Sequence, residues 1–219
     1  MQRYKFTLLI TVPLHKTITV ANQIEALIWK VEEPEVELAQ NVRLTERCEL
    51  RLKGMKSELH RRAFLSIRQL LLLSGYEDKD LYYNEFGKPF LIDGTHVSIS
   101  HSHDHTGIIL SAHKEVGIDI EKHREKILRI AHKFTPLTEY RTMANTDALV
   151  LKLTKVWCAK ESLYKIYAQP GLSFLNHIVV NDFNLDDRST KAHIHYEDKS
   201  STYEVVFDTF EGFSCAYAF

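Results

Sequence analysis

Asp119 and Glu121 stand two residues apart in the segment Val116-Gly-Ile-Asp-Ile-Glu121, and further along Glu161 and Lys165 stand four apart in Trp157-Cys-Ala-Lys-Glu-Ser-Leu-Tyr-Lys165. On a strand the first spacing sends both carboxylates to one face while Ile118 and Ile120 pack on the other. On a helix the second spacing places Trp157, Glu161 and Lys165 on one stripe, rotated from the apolar stripe of Val156 and Leu163. Upstream lie Ser100-His101, closing Val97-Ser-Ile-Ser-His-Ser102, and Lys88 in the turn-like Asn84-Glu-Phe-Gly-Lys-Pro-Phe90. With Lys160, these residues supply carboxylates, lysines and a histidine, the set that a magnesium-assisted phosphoryl transfer from a large anionic donor requires. Each pairing alone has a plainer meaning. An acidic strand face can simply meet solvent, and a Glu–Lys pair at this spacing is usually a surface ion pair worth a few tenths of a kcal/mol. Lys160, beside Glu161, would by the same default face water.

The elements that must position these residues are also legible. Apolar segments at Tyr4–Val12 and Ile24–Val31 read as strands. Ser57 is a good helix cap, and Leu59, Ala63, Ile67, Leu70 and Leu71 then predict a helix ending at Ser74, with Gly75 closing it. Val97–Ser100, Ile108–Ala112 and Gly117–Ile120 read as short strands of an antiparallel meander. Ile127, Ile130, Ala131 and Phe134 recur at helical spacing, and Thr135-Pro136 restarts a helix. A longer helix after Thr146 carries Leu149, Leu153, Val156, Leu163 and Ile166 and stops before Gln169-Pro170-Gly171. Four strands follow, over Ile178–Val180, Ala192–Tyr196, Tyr203–Phe207 and Phe213–Phe219. Helices mixed with short antiparallel strands in both halves define an α+β fold.

Composition narrows the function classes. At 219 residues and 44% hydrophobic content, the chain is long enough for one large domain or two smaller ones. Lys plus Arg number 28 against 29 Asp plus Glu, so no global positive charge offers itself to nucleic acid. Arg51, Lys53, Lys56, Arg61, Arg62 and Arg68 form a local basic stretch that could hold phosphates or an acidic protein. Cys48, Cys158 and Cys215 have no metal-type or paired spacing and suit reduced thiols in the cytoplasm. No segment approaches the ~20 apolar residues of a membrane span.

Taken in order, Gly-Lys-Pro, Ser-His, Gly-Ile-Asp-Ile-Glu and Trp-Cys-Ala-Lys-Glu-Ser-Leu-Tyr-Lys resemble the signature of the 4'-phosphopantetheinyl transferases of the longer, surfactin-synthetase-activating type. The resemblance is tight from Asn84 to Lys165. It implies two similar α/β subdomains with antiparallel sheets about a pseudo-twofold axis, residues 1–113 and 114–219, with the active site between them. It also implies Mg²⁺ on Asp119, Glu121 and Glu161, and coenzyme A as donor to a serine of an apo acyl or peptidyl carrier protein, releasing 3',5'-ADP. Lys165 and His101 would contact phosphates, Lys88 and Ser100 the 3'-phosphoadenosine end, and Lys160 the donor. His60-Arg61 resembles a basic pair near the nucleotide, although Arg62 stands where a threonine is common. Glu161 is the candidate base, with Asp119 or a metal-bound water as alternatives. A monomer is expected, with no nucleic-acid or membrane partner.

Three other readings compete. Asp119-Ile-Glu-Lys122 looks like a fragment of a metal-dependent nuclease core, though its spacing is short for one. His101, His103 and His105 alternate and could hold zinc if they shared a strand face. A carrier-protein-binding homologue without turnover would keep the fold but show gaps in the signature, and none is seen.

Overall fold

A computed structural model describes residues 14–21, 23–139 and 145–219. The strand expected over Tyr4–Val12 lies outside them. The first sheet has the order β1-β2-β6-β5, formed by β1 (Leu14–Ala21), β2 (Ile24–Lys30), β5 (His96–Ser102) and β6 (His105–Ser111). Between β2 and β5 come the helices α1 (Glu35–Leu38), α2 (Glu46–Gly54) and α3 (Glu58–Leu73), then a small hairpin of β3 (Leu81–Tyr83) and β4 (Pro89–Leu91). The second sheet has the order β7-β11-β10-β9-β8, with β7 (Gly117–Lys122), β8 (Ile178–Val180), β9 (Ser189–Tyr196), β10 (Lys199–Phe210) and β11 (Phe213–Ala218). The short α4 (Lys126–Ile130) and the long α5 (Thr146–Tyr167) separate β7 from β8. All strand pairs within the sheets are antiparallel, and the α+β reading stands. Among the described residues no helix is long and apolar enough to cross a membrane.

Side-chain alternation assigns each face. On β6, Ile108 packs with Phe64, Leu70 and Leu71 of α3, whereas its neighbour Ile109 joins a core between the two sheets. Ile118 and Ile120 of β7 enter that inter-sheet core beside Ala26, Ile28, Cys215 and Tyr217. The opposite face of the second sheet receives α5, whose Leu153, Val156, Ala159 and Leu163 meet Ala192, Val205 and Ala216. Each buried Ile or Leu of this kind stabilises the fold by roughly 1.5–3 kcal/mol. Asp119 and Glu121 therefore face the helix, not open solvent, and Asp119 is buried.

Local signals explain the helix ends. The Ser57 hydroxyl accepts the amide of His60, and Gly75 takes a φ of +85° at the far end of α3. The Asn145 side chain accepts the amide of Ala148 at 2.9 Å to open α5, and Ala168 ends it in a left-handed conformation just before Pro170. Among the described residues, the stretch after Thr135-Pro136 forms a 3-10 turn, Leu137–Glu139.

The expected meander is corrected. β5 and β6 form a hairpin, but β7 leaves that sheet and pairs with β11. It also runs alongside β5, joined by side chains: the hydroxyls of Ser98, Ser100 and Ser102 accept the amides of Ile118 at 3.2 Å, Ile120 at 3.1 Å and Lys122 at 3.3 Å. The constant offset means that the two edge strands run parallel.

Candidate active site

A cleft of about 680 Å³ lies where α2, α3, the β3–β4 turn, the end of β5 and α5 meet. Arg51, His60, Lys88, His101, Glu161 and Lys165 reach it from these separate elements. The floor is built from β7 and α5. Lys165 Nζ donates to Asp119 Oδ1 at 2.7 Å and to the carbonyl of Ile118 at 2.8 Å. The Ser100 hydroxyl donates to the same Asp119 oxygen at 2.9 Å, and Ser102 donates to Glu121 Oε2 at 3.1 Å. Gly117 makes this closeness possible: a Cβ there would sit 2.0 Å from the backbone oxygen of Ser162 on α5.

Burial and mutual repulsion shape the charges. Burial, and then Asp119, push the Glu161 carboxyl up to about 7; Lys165 opposes the rise and Glu121 adds to it. Glu121 is raised for the same two leading reasons, against hydrogen bonds from Ser102 and Trp157. Burial first, then His60 and Lys165, hold the His101 imidazole below its usual value, so it favours the neutral form. The His60 and His101 rings lie 6.3 Å apart. The site thus has acidic groups on its floor and basic groups on its walls.

Asp119 Oδ2 is buried and has no hydrogen-bond partner. An unpartnered carboxylate oxygen beside two further carboxylates is a hard-oxygen environment, and a divalent cation suits it. Among the described residues no three His, Cys, Asp or Glu side chains close into a finished metal cage. The three carboxylates are neighbours, then, rather than a complete ligand set. This fits magnesium, which usually takes one or two protein carboxylates and leaves its other positions to water and phosphate oxygens.

Several expected contacts are relocated. Lys160 is fully buried: its ammonium pairs with Glu139 at 2.8 Å and reaches the carbonyls of Phe174 and Ile178, so it anchors α5 internally and does not line the cleft. One residue along the helix, Lys160 is turned about 100° from Glu161. Arg61 is bound to Glu35 at 2.7 Å and to the carbonyls of Met55 and Lys56, also away from the cleft lining. Arg62 bonds the carbonyls of Glu33 and Val31, and Arg68, which also lines the cleft, pairs with Asp78, so with Arg61 half of the six-residue basic stretch is tied up internally. Ser100 directs its proton to Asp119 rather than into the cleft. Lys88 lines the cleft but also bonds Glu115 at 2.7 Å and the carbonyl of Ile166. Arg51 was visible only as one of many basic residues; its place on α2 brings it to the cleft.

The zinc reading fails on geometry. His103 turns the β5–β6 hairpin with a φ of 54°, while His105 is buried with its Nδ1 on Asp104 and its ring 4.3 Å from that of Phe213. Of these three, only His101 lines the cleft.

Buried acids beside a basic-walled cleft are an arrangement whose charges would suit a polyanion. Residues 115–218, which include β7, α5 and the rest of the second sheet, match the family model described as the 4'-phosphopantetheinyl transferase superfamily. The curated 4'-phosphopantetheinyl transferase gsp of Aneurinibacillus migulanus is 32% identical over 136 residues, covering 61% of this chain and 55% of that protein. The match thus spans about half the length of that relative. Over this region the chain is therefore similar to the 4'-phosphopantetheinyl transferase superfamily.

Proposed function

We propose that this protein transfers the 4'-phosphopantetheine group of coenzyme A to a serine hydroxyl of an apo acyl or peptidyl carrier protein. The observation that carries this reading is the buried, unpartnered Asp119 Oδ2 beside Glu121 and Glu161, set under a cation-lined cleft. Asp119, with Glu121 and Glu161, would hold Mg²⁺, which when bound supplies positive charge to the donor's pyrophosphate oxygens.

The chain's own residues do the rest. Lys165 and His101 hold the phosphates at the inner end, and Arg51, His60 and Lys88 hold the outer, nucleotide end. Glu161 takes the serine proton as general base. The serine oxygen bonds to the β-phosphorus, the bond from that phosphorus to the bridging oxygen breaks, and 3',5'-ADP leaves with its new terminal charge among the basic walls. Residues 1–113 would contribute the nucleotide wall and 114–219 the acidic floor. The three free cysteines agree with a cytoplasmic protein, and we expect it to act as a monomer.

Mass spectrometry of an apo carrier protein incubated with coenzyme A, Mg²⁺ and this protein should show a gain of one phosphopantetheine group, absent when Mg²⁺ is chelated. No gain across fatty-acid, polyketide and peptide carrier proteins would overturn the reading. Arginine substitutions separate wall from scaffold. Arg51→Ala should raise the KM for coenzyme A about tenfold, as expected for one charged hydrogen bond. Arg61→Ala, which breaks a partly exposed ion pair of roughly 0.2–1 kcal/mol, should lower Tm by no more than about 4 °C and leave that KM unchanged.

A further inference from the structure

Ser98, Ser100 and Ser102 alternate along β5, so their side chains leave one face of the strand, and each hydroxyl accepts an amide of β7. A backbone ladder is missing between these two strands, which are edges of different sheets. The hydroxyls replace it. Two of the three also donate: Ser100 to Asp119 and Ser102 to Glu121, in each case the residue just before the amide they accept. Each of these serines thus fixes a β7 amide and the adjacent carboxylate with one oxygen. Ser98 makes the seam contact, but the residue just before the amide it accepts is Gly117, which has no side chain to orient.

We propose that Ser100 and Ser102 are positioning residues for the divalent-ion site: they tie the first sheet to the second and, through the same hydroxyls, orient Asp119 and Glu121. This inference rests on the metal reading given above. The physical reason is that a carboxylate on a strand keeps side-chain torsional freedom unless an outer partner fixes it, and such partners commonly carry a tenfold to hundredfold effect on metal affinity.

Ser98 supplies an internal control, because its loss removes a seam bond without touching a carboxylate. The experiment measures Mn²⁺ binding by paramagnetic relaxation in the presence of coenzyme A, together with thermal melting, for Ser98→Ala, Ser100→Ala, Ser102→Ala and Ser102→Thr. All three alanine variants should melt lower by similar amounts. Mn²⁺ affinity should fall about tenfold or more in Ser100→Ala and Ser102→Ala and stay at the wild-type value in Ser98→Ala. Ser102→Thr, which keeps the hydroxyl, should recover most of the affinity lost in Ser102→Ala. Equal affinity in wild type and all variants, or an equal loss in all three alanine variants, would reduce the serines to a structural seam and overturn the inference alone. A wild-type protein that binds no Mn²⁺ with coenzyme A would instead overturn the metal reading and, with it, the positioning role.

Discussion

Gly117→Ala should cripple this protein more than its one added carbon suggests. The new Cβ would stand 2.0 Å from the Ser162 carbonyl oxygen and 2.7 Å from its carbon, and both atoms are backbone in the middle of α5. No rotamer change relieves such a clash, so helix and strand must separate. Overpacking of this kind typically costs 1–3 kcal/mol, occasionally more. For a chain of this length that corresponds to a Tm loss of several degrees, at about 2–4 °C per kcal/mol. The functional loss should be larger still. Gly117 precedes Asp119 on β7, while Ser162 follows Glu161 on α5, so the displacement opens the contact that sets one carboxylate against the other. A misplacement of about 1 Å is enough for a roughly hundredfold loss of rate. Gly107→Ala is the comparison: its Cβ would meet the side-chain ends of Ile120 at 2.8 Å and Ile118 at 3.1 Å, which can turn aside. Phosphopantetheine transfer and melting should therefore be impaired in the order Gly117→Ala, then Gly107→Ala, then wild type. Wild-type Tm and turnover in Gly117→Ala would show that β7 and α5 do not meet as described.

How much of this was legible beforehand depended on whether the signal was local. The Ser57 cap, the apolar stripe of α5 and the period-two pattern of Gly117–Glu121 are short-range, and each produced the element it predicted. What escaped was partnering. A strand's alternation says that Asp119 and Glu121 share a face, but not that a helix covers it, so an outer acidic face became an inner one. The same gap explains the meander: Gly117–Lys122 looks like the next strand of the β5–β6 hairpin, yet its neighbour in the sheet is β11, nearly a hundred residues on by sequence. Lys160 shows the limit most plainly. Lysine prefers water, and only the tertiary structure brings Glu139 and two carbonyls to meet it inside the protein. Its place in the signature is consistent with holding α5 in register, so that Glu161, the next residue, faces the cleft. Arg61 likewise carried the right charge in the right stretch but found Glu35 first.

Glu161→Gln should separate activity from stability in opposite directions. The folded protein holds the Glu161 carboxyl at about 7, against an ordinary 4.5, because burial and Asp119 disfavour its charge. Between those two values the folded state binds more protons than the unfolded chain, so stability falls as pH rises through the window and levels off above it. The full difference is on the order of 3–4 kcal/mol, an upper figure for a group coupled to two other acids. Glutamine has nearly the same shape and no charge to bury. In metal-free protein at pH 8, Glu161→Gln should therefore melt several degrees above wild type, at about 2–4 °C per kcal/mol, and the two should converge as pH falls toward 4.5. Turnover should drop by 10²–10⁴, the usual contribution of a general base. Thermal melts at pH 5 and pH 8, paired with transfer assays at saturating coenzyme A, read both effects. A variant that is less stable than wild type at pH 8 would mean that Glu161 is held by favourable contacts and is not a strained acid awaiting a cation. Retained turnover would move the base elsewhere, with Asp119 next to be tested. If both outcomes occurred together, Glu161 would be a scaffold residue. The acidic floor would then rest on the β7 carboxylates and their serine partners alone.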